Sequence, residues 1–160
     1  MIFGDVKLRA AEQADVARAL GAAGNQPANP PKPAKTTIAR LPQPCAAFDG
    51  NLCRIYADRP RYCQAFECVL FQAVQSGGVR PEAALTRIRL ARRRAALVRR
   101  LLKELGDAEE QSGSLAERVS RTVKRLEKEG AGPDDAATFG RLTIAWHKLS
   151  LLLAEEFYPG

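Results

Sequence analysis

All four cysteines of the chain fall between Cys45 and Cys68, in the stretch CAAFDGNLCRIYADRPRYCQAFEC, and none occurs elsewhere. Thiols concentrated this way place sulfur atoms near one another. The spacing is C-x7-C-x9-C-x4-C. Thiolates are soft ligands, and four of them suit tetrahedral zinc or an iron–sulfur cluster. The spacing lacks the paired C-x2-C knuckles of zinc ribbons. Cys63 and Cys68 are five residues apart, so on one regular helix they point in different directions. If both bind one metal, the backbone between them must leave a single helix. The competing reading is four inert thiols packed like small hydrophobes; their clustering favours the metal.

A chain of 160 residues fits one ordinary domain, or a small module with a helical appendage. Its apolar fraction of 46% is enough for a core. No apolar run approaches the ~20 residues that span a bilayer, and the N-terminus lacks the pattern of a secretory leader. A cytoplasmic location follows as an expectation. Thiols there stay reduced, which argues for metal binding or redox chemistry over structural disulfides.

Along the chain, residues 2–8 read as a short extended segment. Residues 10–23 follow as a helix with Ala14, Val16, Ala17 and Leu20 at helical spacing, stopped near Gly21 and Gly24. Residues 25–37, NQPANPPKPAKTT, form a proline-rich connector. In the cysteine stretch, Asp49-Gly50-Asn51 is a turn between Phe48 and Leu52. Asp58 is a candidate N-cap with Pro60 in the first turn, and Phe66, Val69, Leu70 and Ala73 form an apolar stripe. Three amphipathic helices are predicted beyond: Pro81–Leu105, Leu115–Glu129 and Asp134–Phe157. Their buried faces are read as Leu85, Ile88, Ala91, Ala95, Val98, Leu102 and Leu105; then Leu115, Val119, Thr122 and Leu126; then Phe139, Leu142, Trp146, Leu149 and Leu153. The fold class is mainly α: a small irregular cysteine module (38–78) preceded by residues 1–37 and followed by a helical region (79–160).

The block Cys53-Arg54-Ile55-Tyr56-Ala57-Asp58-Arg59-Pro60-Arg61-Tyr62-Cys63-Gln64-Ala65-Phe66-Glu67-Cys68 resembles the YkgJ-type cysteine-cluster family, described as zinc- or iron-chelating. The family pattern is C-x-I-Y-x-x-R-P-x-x-C-R-x-F-x-C, with Gln64 here in place of its arginine. Cys45 matches the cysteine that precedes the block. The resemblance covers roughly residues 38–71 and implies that Cys45, Cys53, Cys63 and Cys68 are metal ligands. The upstream C-x-x-C-C group of that family is absent, and the expectation is that the chain starts just after it.

Around the thiols, Arg59 is a candidate to donate to thiolates or to pair with Asp58. Tyr56 and Phe66 read as packing residues. Arg87, Arg89, Arg92, Arg93, Arg94, Arg99, Arg100 and Lys103 make one helix intensely basic within a chain of net charge +7. This is read as a solvated face balanced by acids such as Glu104, Asp107, Glu117, Glu127 and Glu129, in preference to a grip on nucleic-acid phosphates. His147, the one histidine, reads as packing or surface, and no nucleotide-binding, nucleophile-elbow or zinc-protease motif is present. The expected function is a cytoplasmic protein that chelates zinc or iron through four cysteines. The metal is structural, and the helices present a surface to a protein partner. An iron or iron–sulfur redox protein and a nucleic-acid-binding protein braced by zinc are the alternatives. No membrane association is expected.

Overall fold

The computed structural model describes residues 5–22, 40–42, 45–50, 52–107, 113–130 and 132–158. The proline-rich connector lies outside them. The fold is mainly α-helical, and the chain clusters into two compact units: residues 1–66 with 112–117, and residues 67–111 with 118–160.

In the first unit, β1 (Asp5–Lys7) pairs antiparallel with β2 (Arg40–Pro42), with Val6 opposite Leu41. A two-stranded ribbon is marginal alone, and this one is held by what it packs on. A 3-10 turn (Ala10–Glu12) leads into α1 (Gln13–Ala22), which buries Val16 and Leu20. Ala14 and Ala17 face solvent; the described helix ends at Ala22, one residue past Gly21, and Gly24 lies outside the described residues. Leu8, Val16 and Leu20 form one apolar cluster with Leu41, Ala47 and Ile55. The N-terminal segment and the cysteine hairpin therefore share a core. Full burial of one such leucine contributes about 1.5–3 kcal/mol.

The second unit contains α3 (Val69–Gln75), α4 (Pro81–Glu104), most of α5 (Leu115–Glu129) and α6 (Pro133–Glu156). Each of the two long helices begins with proline, whose missing N–H costs nothing in the first turn. After α4, Gly106 takes φ +78°. Its N–H bonds the Lys103 carbonyl at 3.0 Å while the Asp107 N–H bonds that of Leu102 at 2.9 Å. This is the double closure that a left-handed glycine permits.

Three contacts tie α4 to α6 and set them antiparallel: Arg87 to the Glu156 carboxylate (2.6 Å), Arg94 to the Lys148 carbonyl (2.6 Å) and Arg141 to the Glu104 carboxylate (2.9 Å). Val98, Leu101, Leu102, Leu142 and Leu149 are all but inaccessible. The expected faces of α5 and α6 hold, with Phe139 and Trp146 half-buried. On α4, Leu85 is 49% exposed and Ala84 is buried in its stead. The buried side there carries Ala84, Ala91 and Ala95, small residues that let helices approach closely.

A buried ion pair joins Arg118 of α5 to Asp107, with Nε donating to Oδ2 at 2.7 Å. The Arg125 guanidinium also donates to the Leu105 carbonyl. Ser114 and Glu117 form the reciprocal box that starts α5, the carboxylate accepting the Ser114 N–H at 2.6 Å. No described helix is long and apolar enough to cross a membrane.

Candidate metal centre

The cysteine stretch is built from short turns, because its residues cannot sustain a longer element. Asp49 accepts the Leu52 N–H on its carboxylate at 2.7 Å, and Gly50 turns the chain at φ +105°, where only glycine is unstrained. The chain then runs back on itself. Phe48 and Cys53 form an antiparallel bridge, and the Arg54 N–H donates to the Ala47 carbonyl at 2.8 Å. This hairpin returns Cys53 to the neighbourhood of Cys45, and both half-buried thiols pack against the Leu8–Ile55 cluster.

Cys63 arrives on α2 (Arg61–Ala65). The N-cap of α2 is Pro60, not Asp58, and it offers no side-chain cap. The first N–H of the helix is instead satisfied from far away in sequence. Glu12 accepts the Arg61 N–H at 2.8 Å on one oxygen and the Arg9 N–H at 3.0 Å on the other. These two bonds hold the Glu12 carboxyl below the usual carboxylate range. Gln64 donates from its amide to the Arg59 carbonyl at 2.7 Å, closing α2 onto the preceding loop.

Burial pushes the Cys63 thiol up, and the nearby Cys45 and Cys53 push it further the same way; the Arg59 guanidinium opposes them. Burial likewise raises Cys45, with Cys53 adding to the rise and the main-chain N–H groups of Ala47 and Phe48 working against it. Three of the four sequence-assigned residues, Cys45, Cys53 and Cys63, thus share one neighbourhood in the first unit. Among the described residues, no three His, Cys, Asp or Glu side chains stand in a metal-ligating arrangement. The thiols converge without closing into a ligand set. As soft donors they fit zinc or iron in kind.

Cys68 belongs to the second unit, where it is the N-cap of α3. Between Cys63 and Cys68 the chain leaves the helix: Phe66 is extended (φ −76°, ψ 117°) and helix resumes at Val69.

Two aromatic residues differ from expectation. Tyr56 is 63% exposed and Phe66 is 44% exposed, so neither is packed inside the centre. The Arg59 guanidinium stacks over the Tyr56 ring at 4.0 Å, which takes the place of a pair with Asp58. His147 is exposed on α6. A groove of about 550 Å³ runs beside the centre, lined among others by Glu12, Asp15, Arg18 and Arg59.

Glu12 is the residue that sequence reasoning missed. Arg9 is not a capping residue type, so neither the Glu12 bond to the Arg9 N–H nor that to Arg61 has a local signature. No family model, no curated protein and no solved structure matches the chain.

Proposed function

We propose that the chain is a cytoplasmic metal-binding protein of the cysteine-cluster type, in which Cys45, Cys53 and Cys63 bind zinc or iron. The observation that carries this reading is that Cys45 and Cys53 of the hairpin pack on one small core while Cys63, on a separate short helix, lies near enough to both to feel their charge. Chance placement of buried thiols gives no reason for the hairpin to return Cys53 to Cys45 and for α2 to be pinned by Glu12 beside them. The thiolates would supply soft, anionic ligands. A bound ion would brace a segment whose own elements are very short. The metal is structural in this reading, and the helical unit presents the surface that a partner meets.

The test is metal content and a visible spectrum on protein purified without oxygen, beside Cys63→Ser. Stoichiometric zinc, no colour and loss of metal in the variant support a structural site. Iron with thiolate charge-transfer bands keeps the ligands and moves the function to electron transfer. A wild-type chain that binds neither metal refutes the proposal.

A further inference from the structure

The basic residues of α4 divide into two groups once the helix is packed. Arg87 and Arg94 turn toward α6, where they meet the Glu156 carboxylate and the Lys148 carbonyl. Arg89, Arg92, Arg93, Arg99 and Lys103 are exposed. Among the described residues none of these five has a carboxylate within ion-pair distance. Arg100 makes a contact of 3.6 Å with Glu104, an exposed pair of the weakest kind.

Three of the acids expected to balance this face have partners elsewhere. Asp107 is buried against Arg118, Glu104 also meets Arg141, and Glu129 meets Arg125. The one other acid of the helix, Glu82, lies in its first turn, ahead of the first of the free cations.

At 100° and 1.5 Å per residue, the six cations cover about 21 Å of helix in two rows. Arg92, Arg99 and Lys103 form one row; Arg89, Arg93 and Arg100 form the other, roughly 80° away about the axis. Ala96 lies between the rows and offers no hydrogen bond to a base edge.

We infer that this face of α4 binds the phosphate backbone of B-form DNA without reading its sequence. The charge is complementary, and five of the six cations are arginine, whose fork pairs with phosphate through two parallel hydrogen bonds. Two rows at this angle reach phosphates on both walls of a major groove about 12 Å wide, which admits a helix. The A-form RNA major groove is too deep and narrow for the same fit. A helix lying on a membrane must keep its apolar face free, and that face of α4 is buried against its own unit. The surface involves none of the cysteines, so this inference stands apart from the metal reading.

The experiment is fluorescence anisotropy of the full chain with a random-sequence DNA duplex across a salt series. The face variant is Arg92→Gln/Arg93→Gln/Arg99→Gln. A charge-matched control, Lys7→Gln/Arg9→Gln/Arg18→Gln, lies on the first unit. Wild type should show a log K against log[salt] slope of about −4 to −5, and the face variant should lose about 2 to 3 of that slope. Its affinity should fall on the order of tenfold or more, while the control stays near wild type and circular dichroism is unchanged in both. The inference is overturned if the face variant binds like wild type or if the control falls equally. It is also overturned if poly-glutamate displaces the duplex as well as DNA does, or if an RNA duplex or phosphatidylserine vesicles bind more tightly.

Discussion

The main-chain N–H of Arg61 donates to the Glu12 carboxylate at 2.8 Å, across 49 residues of chain. The bond joins the 3-10 turn before α1 to the first turn of the helix that carries Cys63. In Glu12→Ala the amide protons of Arg61 and Arg9 should exchange with solvent markedly faster, and Glu12→Gln should retain part of the protection. The acid side gives a second readout. A carboxyl held below its ordinary 4.5 contributes stability that is complete above 4.5 and lost as pH falls through its lowered value. The Arg61 amide should therefore lose protection below about pH 4.5 in wild type, and show no such step in Glu12→Gln.

Gly50 stands at φ +105° at the tip of the turn between Cys45 and Cys53. Nothing lies within 4 Å of a Cβ placed there, so the effect of Gly50→Ala is conformational and not steric. The substitution should cost about 1–3 kcal/mol and weaken metal uptake with it, read by urea unfolding and by competition with a chelator.

Cys45 and Cys63 are both pushed above the ordinary thiol value of 9.0. The metal-free folded chain therefore holds these protons more tightly than the unfolded chain does. Their contribution to stability is fully present below about pH 9 and lost as pH rises through the raised values. Metal binding must expel the same protons. Zinc affinity should climb between about pH 6 and 8, while stability of the metal-free protein falls only beyond about pH 9. A zinc titration at several pH values, with thermal unfolding of the metal-free chain alongside, separates the two trends.

The side chains of Arg118 and Asp107 are only 10% and 2% exposed, at 2.5 Å. Arg118→Ala strands a buried carboxylate and should cost about 3–5 kcal/mol in urea unfolding. Replacing both partners by apolar residues of similar volume should restore most of that loss.

Leu149 is wholly buried on α6, whereas Ile144 on the same helix is 57% exposed. Leu149→Ala should cost about 2–5 kcal/mol, and Ile144→Ala should stay within about 0.5 kcal/mol of wild type.

Helix placement was legible wherever a periodic apolar face was long enough to be unambiguous. The three C-terminal helices begin and end within a residue of their expected bounds, marked by Pro81, Pro133, Gly106 and Gly130. Short elements were less legible. Asp58 carries good capping chemistry but does not cap α2, because Pro60 sets the helix start and a distant carboxylate does the capping. Leu85 sits on the expected apolar stripe, yet at the first turns of α4 the buried side rotates to Ala84.

By itself the sequence determined the helical class, the turn at Asp49-Gly50 and the confinement of every thiol to one short stretch, since each follows from local periodicity, backbone preference or simple position. The tertiary structure decided three further things. It brought Cys45, Cys53 and Cys63 into one neighbourhood, recruited Glu12 to α2, and drew Arg87 and Arg94 to α6 while leaving Arg89, Arg92, Arg93 and Arg99 in solvent. Those outcomes depend on groups from separate parts of the chain coming together in space. Local propensity carries no information about such meetings; packing within each unit creates them.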